Sequence, residues 1–337
     1  MQITPALLDK AASEYNKYHP HSTTFSKCLF LSWHCSVGDC TFCYRSTIKQ
    51  TEDPKKQRRR LASIFVEGLV SKVLGYDLEF ITGGYGIYPV DEMVEIARVL
   101  SHIFGEKIWV NLGVMNKIML QRFKPYVQGV VASIETINPD LRQQVCPSKP
   151  MSGYLQLYNN AEGFKKSCAF IVGLGESVSD LDLLHDFIRE HSLDQITFYA
   201  LKPVKGTPFT VGPPIENYAW WVAKTRIAFP RMRIIAGITG RRANDVGILL
   251  KAGANVITKF PALRMFGSKE AMMFEEQLRR SGRSFDCTLT VFPVIDWNAL
   301  IEALPVSMEL KSEMLEVIPR YVKRLKKTCV SSVRGQN

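Results

Sequence analysis

No apolar run in this chain of 337 residues reaches the roughly 18 that a membrane-spanning helix needs. The opening stretch, MQITPALLDKAASEY, has no signal-peptide core, so the expected placement is cytoplasmic with no membrane partner. Acidic residues are in deficit: 32 stand against 43 Lys and Arg, for a net charge of +11. That excess calls for an anionic partner, whether an acidic protein, nucleic acid or a phosphate-rich ligand. No appended RNA-binding motif accompanies it, which places nucleic acid behind the others. The bases concentrate in only two stretches, 55–60 and 320–327, and either reads equally well as a solvated helix face.

Cysteine is also sparse, eight in all, yet Cys35, Cys40 and Cys43 fall within nine residues. The spacing Cys-x4-Cys-x2-Cys converges on one soft metal centre, either zinc or an iron–sulfur cluster. No second Cys-x2-Cys or His pair follows to close a structural zinc site, and His34 abuts Cys35 too closely to be a natural fourth ligand. Three is an odd number for disulfides, and reduced thiols are the rule in the cytoplasm. Three thiolates would leave one iron of a four-iron cluster open to a small chelating molecule. Gly38 lies inside the widened first gap, where it can supply a positive φ at no steric cost.

The rest of the chain alternates in period. Apolar runs at 28–33, 78–82, 107–112, 129–134, 168–172, 195–201, 233–236 and 255–258 read as strands, with helical spacing between them. Eight alternations predict an α/β fold, a (β/α)8 TIM-type barrel. The expected organisation is an N-terminal helix and connector over 1–25, the barrel over 26–284, and a C-terminal helical extension over 285–337. A single long helix is expected over 53–74 and another over 151–165. The cysteine loop follows the first strand, at the end of the barrel where the loops carry chemistry.

The cysteine motif resembles that of the radical S-adenosylmethionine (SAM) superfamily, Cys-x3-Cys-x2-Cys, with one extra residue and with Phe42 in the aromatic position before the last cysteine. The resemblance implies that Cys35, Cys40 and Cys43 hold a catalytic [4Fe–4S] cluster that binds SAM. Gly83-Gly84-Tyr85, after the second strand, resembles the Gly-Gly-Glu turn that meets the amino group of SAM, with Tyr85 replacing the acid. Gly173 and Gly175, ahead of Glu176, look like the element that supports adenine stacking. Glu135 takes the place of the acid that contacts ribose, a role suited to a carboxylate facing two hydroxyls.

Over residues 25–270 the order of Val131–Thr136, Ile171–Glu176, Lys202–Pro208, Ile235–Gly237 and Ala252–Asn255 is similar to biotin synthase. Biotin synthase's auxiliary-cluster cysteines on the second and third strands have no counterpart at Phe80 or Trp109–Leu112. The remaining cysteines suggest a different second cluster, with Cys28, Cys146, Cys168 and Cys287 as its ligands and Cys329 the weakest choice. On those grounds the chain resembles the two-component lipoyl synthases. That resemblance implies a sulfurtransferase with a second [4Fe–4S] cluster, acting on octanoyl-lysine of an acidic lipoyl-carrier protein. A companion radical SAM subunit and an electron donor such as ferredoxin would serve it. Three alternatives stay open: a biotin-synthase-like enzyme of iron-guanylylpyridinol cofactor assembly, an RNA-modifying radical SAM enzyme, and a non-catalytic binding protein organised by zinc.

Overall fold

Runs rich in β-branched and aromatic residues, separated by helices whose apolar faces need cover, produce one closed parallel barrel. The computed structural model describes residues 1–48, 53–83 and 86–333, except the side chains of residues 55 and 327–333. Its strands are β1 (Phe25–Phe30), β2 (Asp77–Thr82), β3 (Ile108–Asn111), β4 (Val127–Glu135), β5 (Lys165–Val172), β6 (Gln195–Ala200), β7 (Arg233–Gly237) and β8 (Val256–Thr258). They neighbour one another in chain order, and β8 returns to pair with β1 through Phe25–Ile257 and Ser26–Thr258. The fold is thus the TIM-type barrel expected.

Helix α1 (Pro5–Tyr18) precedes the barrel, started by Thr4, whose hydroxyl accepts from the Leu7 amide at 3.2 Å. After each strand the chain returns through helices: α2 (Leu61–Val73), α3 (Val90–Phe104), α4 (Lys117–Phe123), α5 (Pro139–Val145), α6 (Met151–Asn160), α7 (Asp180–Glu190), α8 (Ile215–Ala228), α9 (Val246–Lys251) and α10 (Lys269–Arg280). Their apolar faces and the outward side chains of the strands form the main core, in which Phe65, Val110, Phe170, Phe198 and Trp221 are wholly buried. A second apolar group, separate from it, fills the barrel interior.

Beyond α10, the short strand Ser284–Phe285 pairs in parallel with Ser22–Thr23 and closes the amino-terminal side. Helices α11 (Trp297–Glu302) and α12 (Met308–Val333) follow, with α12 packed on α2. Among the described residues no helix is long and apolar enough to cross a membrane.

Three expectations change. The first strand begins at Phe25 and ends at Phe30, because Ser32 already bridges to Arg58 and Trp33 turns back to stack on Phe30 at 5.4 Å. The helix expected over 53–74 is a 3-10 turn (Pro54–Gln57) and then α2, divided where Arg58 and Arg59 are drawn into ion pairs with Glu92 and Glu67. The helix near 151–165 ends at Asn160, and α5 precedes it.

Candidate active site

The loop from Leu31 to Thr47 crosses the carboxyl-terminal mouth of the barrel and is fixed there by the backbone. Leu31 donates to the Thr82 carbonyl at 2.6 Å, so the end of β2 aligns the start of the loop. Gly83, at φ +127°, lies so close that a Cβ would stand 2.8 Å from the Leu31 nitrogen and 2.9 Å from the Ser32 nitrogen and oxygen. The glycine is needed for this close approach. Arg45 donates to the Ser32 carbonyl at 2.9 Å, with its guanidinium 5.3 Å from the Phe30 ring centre, which ties the far limb of the loop back to β1. Gly38 has φ +59°, as the widened gap requires.

Cys35, Cys40 and Cys43 are all partly buried and line one cavity of about 400 Å3, within the range of small-molecule sites. Phe42, Gly83, Asn111, Ser133 and Glu135 line it with them, so β1 to β4 supply one continuous wall. Gly84 and Tyr85 fall outside the described residues.

Glu135 ends β4 in the left-handed conformation, φ +60°, and its carboxylate takes a 2.7 Å ion pair from Lys149. Both side chains are more than four-fifths buried. Burial opposes the Lys149 ammonium, but Glu135 foremost, with Tyr154 and nearby thiols, holds its pKa well above the usual lysine value. Sequence reasoning missed Lys149, which sits in an irregular loop with no motif around it.

Gly173 and Gly175 do not reach this wall. Glu176 folds back on them, its carboxylate accepting the amides of Gly173 (2.7 Å), Leu174 (3.0 Å) and Gly175 (3.2 Å). The turn is self-contained, and Gly173 is pressed against Pro213, whose Cδ would be 2.8 Å from an added Cβ.

The four cysteines expected to hold a second cluster do not come together. Cys146 lies beside Cys40, and this contact first, with burial second, pushes the Cys40 thiol upward in pKa. Cys28 is on the inner face of β1, donating to Glu79 at 2.7 Å. Cys168 is fully buried among the main-core residues. Cys287 accepts from the Phe25 amide at 3.2 Å, at the opposite end of β1 from the cysteine loop, and burial pushes it up to about 12. The expected second ligand set is therefore spread over both ends and both faces of the barrel, and the side chain of Cys329 is outside the described residues.

Among the described residues no three His, Cys, Asp or Glu side chains are drawn onto a single metal point. Three soft thiols line the cavity, with the Cys146 thiol beside Cys40 outside that lining. The three thiols of the lining fit an iron–sulfur cluster with one open corner.

The chain is similar to several known proteins. The uncharacterized protein MJ0597 of Methanocaldococcus jannaschii is 36% identical over 304 residues, spanning 88% of this chain and 84% of that protein. Biotin synthase of Thermotoga neapolitana is 26% identical over 255 residues, or 74% of this chain and 87% of that enzyme. A crystal structure of methylornithine synthase shares the fold at a TM-score of 0.66 and 18% identity, over 77% of this chain and 79% of that one. No protein-family model matches the chain.

Proposed function

Since the chain belongs to the family of MJ0597 and, beyond it, to the radical SAM superfamily, we propose that Cys35, Cys40 and Cys43 hold a [4Fe–4S] cluster for radical chemistry on a small substrate inside the barrel. When bound, the cluster and SAM supply a 5′-deoxyadenosyl radical by one-electron cleavage of the sulfonium bond. The observation that carries this reading is the presence of all three thiols on one cavity wall with Glu135.

The protein's part is to hold and to enclose. Glu135, aimed by Lys149, offers its carboxylate oxygens to vicinal hydroxyls of a nucleoside ribose. Phe42 and the glycine at 83 shape the wall on either side. The interior below is apolar, lined by Phe80, Trp109 and Ile171, which would keep water from a reactive radical.

Within the superfamily, a single-cluster reaction is the finer reading the geometry supports best. Sulfur insertion into an octanoyl chain would need a second cluster as the sulfur source, and of its four candidate thiols only Cys146 adjoins the loop. The net charge of +11 still suits an acidic carrier protein, which keeps the lipoyl-synthase-type reading as the second proposal. Hydrogen abstraction by one cluster, as the cofactor-assembly alternative requires, needs no further ligands. The test is anaerobic reconstitution with iron and sulfide, then SAM and a one-electron reductant. Formation of 5′-deoxyadenosine and methionine in wild type but not in Cys43→Ala supports the proposal, and equal turnover in both overturns it.

A further inference from the structure

The two basic runs, at 55–60 and 320–327, stand far apart in the chain, and the fold brings their described parts onto one edge of the barrel mouth. The first run is tied to the start of the cysteine loop. Trp33 donates its amide to the Gln57 carbonyl at 3.0 Å, Arg59 donates its amide to the Leu31 carbonyl at 2.9 Å, and Ser32 bridges to Arg58 in antiparallel register. Residues 57–59 therefore run alongside 31–33, which end two residues before Cys35. Arg58 and Arg59 are paired with Glu92 and Glu67, while Lys56 and Arg60 are exposed, with Asp53 the only acid of 53–60.

The second run arrives on α12. That helix packs on α2, and the Tyr321 hydroxyl meets Ser63 in the first turn of α2, where the chain has just left the mouth. The Ser63 hydroxyl also accepts from the Arg59 guanidinium at 3.1 Å, so one side chain links the two runs. Charge is segregated along α12. Its exposed acids Glu309, Glu313 and Glu316 all precede Pro319, and the exposed Arg320, Lys323 and Lys326 all follow it. The basic half is the half beside the cysteine loop.

Alongside the first run stands Trp33, with 43% of its surface exposed. It is held there, stacked on Phe30 at 5.4 Å with the Arg59 guanidinium 6.0 Å from its ring centre. A fixed, exposed Trp among Arg and Lys side chains has the composition of a protein-binding hot spot. Neither Trp33 nor the exposed cations belong to the cavity lining, so this edge flanks the loop from outside. A partner that delivers a substrate group has to reach into the cavity. One that delivers an electron has only to come close to the loop.

We propose that this edge docks a small acidic electron-transfer protein, with Trp33 as its apolar contact and Lys56, Arg60, Arg320, Lys323 and Lys326 steering the encounter. The docking rests on the reading that Cys35, Cys40 and Cys43 carry a cluster, and it adds the route by which the electron arrives. The donor loses one electron, the [4Fe–4S] cluster gains it, and no bond forms or breaks between the two proteins. Steering by a patch of one sign raises association rates by roughly 10- to 1,000-fold and fades as salt screens it. Redox encounters bury little surface, so a few cations and one aromatic side chain are enough.

The test uses a flavodoxin as the acidic one-electron donor and reduced methyl viologen as a small cationic donor that needs no docking. Binding of oxidised flavodoxin to the anaerobically reconstituted protein is measured by calorimetry at low and high salt, and 5′-deoxyadenosine formation from SAM is followed with each donor. Lys323→Glu/Lys326→Glu and Lys56→Glu/Arg60→Glu should each weaken flavodoxin binding and slow the flavodoxin-driven rate roughly tenfold or more at low salt. The viologen-driven rate should hold or rise, which also shows that the variants are folded. Lys10→Glu/Lys251→Glu, which reverses as much charge at exposed sites on α1 and α9, should stay within roughly twofold of wild type. Equal flavodoxin binding in wild type and both edge variants, or an equal loss in the α1 and α9 control, overturns the proposal. So does loss of poly-uridine oligonucleotide binding by the edge variants with flavodoxin binding intact, which would assign the edge to nucleic acid. Failure of the radical reading would appear separately, as no 5′-deoxyadenosine from wild type with either donor, and the calorimetry would still decide the docking.

Discussion

Replacing Lys149 by Met should destabilise the cluster-free protein by about 3 kcal/mol, because it leaves the Glu135 carboxylate buried without its cation. The pair is 2.7 Å apart, with side chains 16% and 12% exposed, so solvent can make good little of the loss. Lys149 also donates to the Ser133 carbonyl at 3.3 Å and stands 5.7 Å from the Tyr154 ring centre, contacts that Met keeps only as packing. A loss of that size shifts the folding equilibrium by roughly two powers of ten. Glu135→Gln/Lys149→Met removes both charges and should recover about 2 kcal/mol relative to the sum of the single variants. The pH dependence follows from the raised lysine pKa. Its contribution is fully present below the ordinary lysine value and is lost only as pH rises through the higher folded value, so the deficit should be flat across neutral pH. Urea unfolding of the four proteins at pH 7.5, monitored by far-UV circular dichroism, measures all of this. A single-variant loss under about 0.5 kcal/mol, or a double variant as unstable as the sum, would refute a structural ion pair at the site.

Gly83→Ala should lower the melting temperature and reduce iron uptake together. The new Cβ meets backbone atoms of Leu31 and Ser32 that cannot rotate away, and the φ of +127° adds strain, for a cost above about 1 kcal/mol. Full iron uptake by this variant would separate the turn from the cysteine loop. Burial lowers His185 to about 4, so its contribution to stability is present above the ordinary histidine value and is lost as pH falls through about 4. His185→Asn should flatten the stability curve between the two values, and an unchanged acid limb would contradict it. Cys168→Ala and Cys287→Ala should keep the wild-type iron content, since neither thiol lies at the mouth, and iron loss in either would revive the second cluster.

What could be read from the chain was its periodicity and its one dense motif. Strands such as 195–201 and helices such as α3 announce themselves because a buried strand is a short apolar run, while Ile96, Ala97, Leu100, Ile103 and Phe104 recur on one helical face. The helix at Pro139–Val145 was missed because seven mostly polar residues carry no apolar stripe. Its signal was the Asn138-Pro139 start, where the Asn138 side chain accepts from the Leu141 amide at 3.1 Å. The basic run near 58 reads as a charged surface from composition. In the fold, Arg59 is spent on Glu67 and on the Phe30 carbonyl. The three cysteines were legible because nine residues hold them all. Lys149 was not, because no motif surrounds it, nor were Glu79 and Tyr199, which come from different parts of the chain and meet only when the barrel closes. The spare cysteines misled for the same reason: their positions along the chain say nothing about which face of a strand each occupies.

The account turns on whether these three thiols carry one open iron–sulfur cluster. Iron and acid-labile sulfide per chain, measured after anaerobic reconstitution of wild type and of the variant with Cys35, Cys40 and Cys43 all changed to Ala, address it most directly. About four irons in wild type and none in the variant are predicted. A stoichiometric zinc ion in the protein purified in air, or four irons persisting in the variant, would contradict it.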